Sequence, residues 1–301
     1  MPSVLPRRTF LGAMGALPLA SVSSAAAGPE APLGRRAPKI RLSCNLYSFD
    51  EPLRSGAMTL DAALDFCAEL DFDAVDPTGY YFPGYPEAPP DPFLYDFKRR
   101  ALRLGLDISG TGVRTDFTVG DRAAREAHVA LVRRWVDVAS KMGAPMVRVF
   151  AGRGAPEGHT EAEATGWVVE CLRSCVEYGA ARGILIVLQH HDDLLKTAAE
   201  TLAVHERVGS DWLGLNVDIG SLRATADPYA EIARLAPLAY TWQIKEQVYR
   251  KGVAEDVDVA KIVRILRESG YRGYIPLETL GAGDPRPRLR AFVARVRQAL
   301  A

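Results

Sequence analysis

The sequence predicts a single-domain α/β protein, a parallel (β/α)₈ TIM barrel. Three observations lead there. Strand-like and helix-like segments alternate at short intervals from Ile40 to the C-terminus, the pattern of βα units built on a parallel sheet. The later strands end in polar side chains although their bodies are apolar, and barrel strands gather ligand groups at their C-terminal ends. A doubly wound open sheet is the alternative, but no Gly-x-Gly-x-x-Gly follows the first strand, so the usual sign of a dinucleotide site is missing.

The barrel is assigned to residues 39–301. Ahead of it stand Arg7-Arg8-Thr9-Phe10-Leu11, an apolar run from Phe10 to Val22 that is short for a bilayer span, and the small residues Ala25-Ala26-Ala27. Residues 1–27 thus resemble a bacterial twin-arginine signal peptide. That resemblance implies Tat export of a folded protein to the periplasm or beyond, with no stable membrane anchor. Gly28 to Pro38, rich in Pro, Gly and Ala, reads as a linker. With 301 residues, 48% of them hydrophobic, the chain is long enough to bury a large core. Lys plus Arg and Asp plus Glu both number 37, so no excess of positive charge draws in a nucleic-acid backbone.

Strands are expected at Ile40–Asn45, Ala74–Asp76, Leu106–Gly110, Met146–Phe150, Ile184–Gln189, Leu213–Asp218, Tyr240–Lys245 and Tyr274–Glu278. The fifth shows the reasoning. Ile184-Leu185-Ile186-Val187-Leu188 is long enough for a strand covered on both faces and short for a helix. It then runs straight into Gln189, His190, His191, Asp192 and Asp193. Between strands, Thr160 to Arg182 predicts a helix: Thr160 and Glu163 form a capping box, and Trp167, Val168, Cys171, Leu172, Cys175 and Val176 trace one apolar face. Asp256 to Ser269 repeats the design with Val259, Ile262, Val263 and Leu266 inward, and a last helix runs from about Pro285 to Leu300. Cys67, Cys171 and Cys175 fall on apolar helix faces and Cys44 in the first strand, which reads as small buried hydrophobes.

The strand ends form a set. Gln189 with His190 and His191, Asp218, Gln243 with Lys245 and Glu246, and Glu278 close the fifth to eighth strands. A carboxylate at the end of a buried strand needs a partner, because an isolated buried charge costs several kcal/mol. A divalent metal ion is one such partner, neutralised by Asp218 and Glu278 and completed by the amide oxygens of Gln189 and Gln243. The alternative is that the two acids pair with Lys245 and Arg148.

These strand endings, in this order and with the final Gly-Tyr-Ile-Pro-Leu-Glu, resemble the xylose-isomerase-like barrel superfamily of sugar isomerases, sugar and sugar-phosphate epimerases, inosose dehydratases and endonuclease IV, over about residues 40 to 300. The resemblance implies a divalent cofactor (Mn, Mg, Co or Zn) held by the Glu, Asp, His and Glu of the last four strands. Asp218 and Glu278 match that pattern, Lys245 matches the lysine that the resemblance implies on the seventh strand, and His191 falls at the fifth-strand histidine. Two positions depart from it. Gln189 stands in place of the metal-binding Glu and Gln243 in place of the His, and an amide cannot accept a proton. Of the two glutamates that exchange protons in the resembling epimerases, Glu278 survives, which leaves His190, His191 and Glu246 as candidates for a second acid/base.

The expected chemistry is metal-dependent isomerisation or epimerisation of a small carbohydrate: proton abstraction next to a carbonyl, through an enediolate stabilised by the ion. Loss of a β-substituent would instead make the protein a lyase or dehydratase acting on an oxidised sugar or glycoside. A sugar-binding barrel without catalysis is the third expectation. An abasic-site endonuclease would need more metal-binding groups than these strand ends supply, and a basic groove. Asn45, Tyr47, Tyr80, Tyr81, Arg114 and Arg148, on the first four βα loops and strands, are the expected substrate-binding residues. The sequence leaves a homo-oligomer open.

Overall fold

Apolar strand bodies pair side by side and leave their polar last residues together at one end. The computed structural model describes residues 39–191 and 194–301. The export segment and linker expected over residues 1–38, and Asp192 and Asp193, lie outside the described residues. In chain order the elements are β1 (Ile40–Asn45), α1 (Asp50–Ser55), α2 (Leu60–Glu69), β2 (Ala74–Asp76), α3 (Asp91–Arg103), β3 (Asp107–Ile108), β4 (Thr111–Gly112), α4 (Arg122–Met142), β5 (Met146–Phe150), α5 (Glu161–Ala180), β6 (Leu185–Gln189), α6 (Ala198–Val208), β7 (Leu213–Asp218), α7 (Pro228–Leu235), β8 (Ala239–Lys245), β9 (Gln247–Arg250), β10 (Val253–Asp256), α8 (Val259–Glu268), β11 (Gly273–Glu278) and α9 (Pro285–Leu300).

Nine strands form one parallel sheet in the order β3-β2-β1-β11-β8-β7-β6-β5-β4, and β9 and β10 make a separate antiparallel hairpin. The sheet is a nearly closed barrel, because its two edge strands are halves of one stretch parted by Ser109 and Gly110. The single strand expected at Leu106–Gly110 is therefore split: Asp107 and Ile108 pair with β2, while Thr111 and Gly112 pair with β5. Gly112 has a steric reason to be glycine, since a Cβ there would lie 2.8 Å from the Arg148 guanidinium. Inside the barrel the Ser43 and Ser109 hydroxyls meet at 2.8 Å.

The helices cover the outside of the sheet. In α5 the capping box is present, with the Glu163 N–H donating to Thr160 Oγ1 at 3.2 Å and the Thr160 N–H to the Glu163 carboxylate at 2.8 Å. Val168, Cys171, Leu172, Cys175 and Val176 are buried along its inner face. Trp167 is half-buried instead, with Arg125 stacked over its ring at 4.4 Å. All four cysteines are buried and free. After β2 the loop is held by aromatic packing: Phe82 and Tyr85 both lie 5.7 Å from Trp135, and a Cβ at Gly79 would overlap that indole at 2.6 Å. Among the described residues no helix is long and apolar enough to cross a membrane.

Replacing Thr160 by Ala removes an acceptor for an otherwise unpaired N–H at the start of α5. It should lower the unfolding free energy by about 1 kcal/mol, read from urea melts. An unchanged midpoint would mean that the box does not anchor this helix.

Candidate active site

Four neighbouring strands build the site through their register. Gln189 lies opposite Asn216, Asp218 opposite Gln243, and Lys245 opposite Glu278. Side chains of one parity point to one face of a sheet, so Gln243 and Lys245 share a face. Lys245 stands two residues beyond the residue opposite Asp218, a diagonal that a long side chain can span. Its ammonium lies 2.8 Å from Asp218 Oδ2 and 3.3 Å from Glu278 Oε1. Gly220 leaves room for the stem, because a Cβ there would lie 2.7 Å from Lys245 Cδ.

Asp218 is saturated with donors. Its Oδ2 accepts from Ser221 Oγ at 2.6 Å, Gln189 Nε2 at 2.7 Å and Lys245 Nζ at 2.8 Å, and its Oδ1 accepts from the Gly220 N–H at 3.0 Å. The Gln189 amide also donates to Gln243 Oε1 at 2.6 Å. Burial pushes the Asp218 carboxyl up, but Lys245, His190 and Ser221 outweigh it and hold the group at about 2. Glu278 moves the other way: burial and the nearby Asp218 charge raise it, and Lys245 and Arg148 offset this in part. Two acids whose environments push them apart take different roles. Asp218 is locked as the anion, and Glu278 is the more basic of the pair.

The structure brings Gln189, Asp218, Gln243, Lys245 and Glu278 into one cluster, as expected from the sequence, but the ammonium occupies its centre. This donor set does not fit the divalent ion that the strand ends led us to expect. A cation between Asp218 and Glu278 would have to displace a buried ammonium already bonded to both. Gln189 also turns its NH₂, which cannot ligate, toward Asp218 and Gln243. Among the described residues no group of three or more His, Cys, Asp or Glu side chains is placed to hold a metal.

On the far side of Glu278, Asn45 Nδ2 donates to Asp76 at 3.0 Å and Asn45 Oδ1 accepts the Tyr47 N–H at 2.8 Å. Buried Arg148 donates to the Tyr80 hydroxyl and to the Val113 carbonyl, both at 3.0 Å. Burial lifts Asp76 to about 6, with Arg148 opposing and Glu278 adding to the rise. Asp76 is a site residue that the reading of strand ends passed over, although it ends β2 as Asp218 ends β7.

The other expected residues are placed differently. His190 is fully buried, and its Nε2 accepts the Asp218 N–H at 3.1 Å, so that nitrogen carries no proton. Burial, with Lys245 also contributing, lowers its pKa to about 4 despite the Asp218 charge. His191 packs edge-on against Phe150 at 5.5 Å and lines a cavity of about 690 Å³ together with Arg114. The Tyr81 hydroxyl is committed to Asp50 at 2.7 Å. Glu246 joins Lys245 and Glu278 around a second cavity of about 390 Å³, lined also by Tyr249 of the β9–β10 hairpin and by Arg288. One buried Arg288 nitrogen, Nη1, has no hydrogen-bond partner. Neither Tyr249 nor Arg288 announces itself in the sequence, since each comes from a segment distant from the strand ends it faces.

A family model described as xylose isomerase-like TIM barrel matches residues 64–298. Among solved structures, D-psicose 3-epimerase from Clostridium cellulolyticum H10, solved with D-tagatose, is 14% identical over 86% of this chain and 99% of its own, with a TM-score of 0.71. A probable 3-DHS dehydratase from Bacillus anthracis is 17% identical over 85% of this chain and 98% of its own, at 0.66. A xylose isomerase-like TIM barrel protein from Mycobacterium smegmatis in complex with magnesium is 21% identical over 88% and 98%, at 0.65. These likenesses establish the fold. The curated proteins contain no match.

Two predictions follow from the electrostatics. Lys245→Met leaves two buried carboxylates without their cation and should cost about 3–5 kcal/mol of stability at neutral pH; a loss below about 1 kcal/mol, the range of an exposed pair, would contradict the pairing. Asp218 sits at about 2, below its unfolded value of about 3.9, so its contribution is full above that value and is lost as pH falls through 2. His190, at about 4 against about 6.5 unfolded, favours the neutral ring, so its contribution fades as pH falls from 6.5 toward 4. Urea melts across pH should show His190→Gln flattening the upper part of that decline. A slope identical to wild type would contradict the assignment.

Proposed function

We propose, for a chain that belongs to the xylose isomerase-like TIM barrel family, that it is a carbohydrate-directed enzyme removing a proton from a carbon beside a carbonyl, with Glu278 as the base. The observation that carries this reading is the division of labour between the two acids. Asp218 is pinned as an anion by four donors, while Glu278 has its proton affinity raised by burial and lines the 390 Å³ cavity. A base needs both access and basicity.

Asn45, Tyr47, Tyr80 and Arg148 are the proposed substrate-binding groups: Tyr47 and Arg148 feel the Glu278 charge, Tyr80 is bonded to Arg148 and Asn45 to the Tyr47 N–H. Tyr81 is left out because its hydroxyl is used by Asp50, and Arg114 because it lines the other cavity. His190 is proposed as a positioning residue that fixes the end of β7 through the Asp218 N–H. Glu246, on the same cavity as Glu278, is the candidate second acid/base. Returning the proton to the opposite face of the carbon gives an epimer, and returning it to the neighbouring carbon gives an isomer. Expelling a β-substituent gives an elimination product. An epimerase and a dehydratase on the same fold support this range. The twin arginines at Arg7 and Arg8 support export, and with it a neutral or oxidised sugar or glycoside as substrate.

A second reading, a sugar-binding barrel without turnover, is favoured by one observation: Lys245 already neutralises much of the charge of both acids. Deuterium wash-in over a panel of free and oxidised sugars in heavy water separates the two. The enzyme reading predicts label at one carbon, and a loss of about 10²–10⁴-fold in Glu278→Gln. A sugar that raises Tm yet takes up no label would support the binding barrel instead.

A further inference from the structure

We infer that Lys245 takes the place of a divalent cation at this rim, so that the site works without a metal and the ammonium itself faces the substrate's carbonyl oxygen. The inference rests on the proton-abstraction reading above and adds what holds the charge that the reaction develops.

The geometry argues it in three parts. First, the ammonium sits where a shared ion would, at 2.8 Å from Asp218 and 3.3 Å from Glu278, on strands β7 and β11 that are not neighbours in the sheet. Second, the surrounding residues suit a single charge. Gln189 and Gln243 bring no negative charge and bond to each other at 2.6 Å. With amides at 189 and 243, the acids of the cluster are Asp218 and Glu278, which the single ammonium of Lys245 pairs with directly. Third, an ammonium has three donors. Two go to Asp218 and Glu278, and Lys245 lines the cavity of about 390 Å³, where the third can meet a ligand. A proton donor held in place on a developing oxyanion is a large source of rate enhancement.

The step balances without an oxidant or reductant. The Glu278 carboxylate takes the proton from the carbon beside the carbonyl. The C–H electron pair forms the new carbon–carbon double bond, and the carbonyl π pair moves onto oxygen. That oxygen accepts a hydrogen bond from Lys245. Glu278 then returns the proton to carbon, or the electron pair expels a β-substituent as an anion.

The test begins with the full-length protein and MnCl₂, and needs no substrate. Elemental analysis after purification should find no stoichiometric divalent metal, calorimetric titration with MnCl₂ should show no saturable site, and Tm should not move. In the variant Lys245→Met with Gln189→Glu, three carboxylates meet without an ammonium, and MnCl₂ should now raise Tm. One Mn²⁺ bound per wild-type chain, lost in Asp218→Asn, would overturn the inference. With a sugar that exchanges, wash-in should survive EDTA, and Lys245→Met should lose at least about 10²-fold while Lys245→Arg retains more. Exchange abolished by EDTA and restored by MnCl₂ would overturn the metal-free site but leave Glu278 as the base. Absence of exchange with every sugar would count against the enzyme reading, and the MnCl₂ titration would still decide the place of the cation.

Discussion

A buried ammonium between two buried carboxylates sets the terms for the rest of this barrel. Removing such charges from water costs several kcal/mol each, and mutual attraction repays that only when geometry is good and remaining lone pairs are satisfied. The chain meets both conditions. Parallel register sets Lys245 opposite Glu278 and one diagonal step from Asp218, and Gly220 clears the path of the stem. Ser221, Gln189 and the Gly220 N–H complete the Asp218 carboxylate. One strand order and one register produce this meeting, so the ion-pair cluster and the barrel specify each other.

The cluster is asymmetric, and the asymmetry is what makes chemistry available. Equal sharing of the ammonium would leave two equally weak bases. Instead Lys245 lies nearer Asp218, and the additional donors fall on Asp218 as well, so one acid is spent on holding the cation and the other is left more basic. Arg148 and Asp76 also act on Glu278, and their charges do so in opposing senses. The two flanking cavities divide along the same line, one reaching Lys245 and Glu278 and the other reaching His191 and Arg114.

The barrel was legible in the sequence because short strand-like segments alternate with helix-like ones, and Ile40–Asn45, Ala74–Asp76, Met146–Phe150 and Leu213–Asp218 have the bounds expected. The third strand was not, since its split depends on two halves choosing different neighbours, a tertiary fact with no local mark. The β9–β10 hairpin was missed for a similar reason: Lys251 and Gly252, at its turn, have positive φ, but nothing around them alternates strongly. For the site, the identities of Asp218, Gln189, Gln243, Lys245 and Glu278 were readable from strand ends. Their partners were not. Sequence allowed either a shared ion or a lysine bridge, and deciding between them requires the diagonal between β7 and β8, which spacing along the chain does not encode. His190 shows the same limit. Next to Gln189 in sequence, it reads as a candidate acid/base, yet it is buried and bonded to the backbone of β7.

What occupies the space between Asp218 and Glu278 is best seen in a crystal structure of the protein grown with MnCl₂, with anomalous data collected near the manganese edge. A rim held by Lys245 should give no anomalous peak between Asp218 and Glu278, and density for Lys245 Nζ within hydrogen-bonding reach of both. A peak at that point, with Lys245 turned away and the oxygens of Gln189 and Gln243 facing the ion, would contradict it.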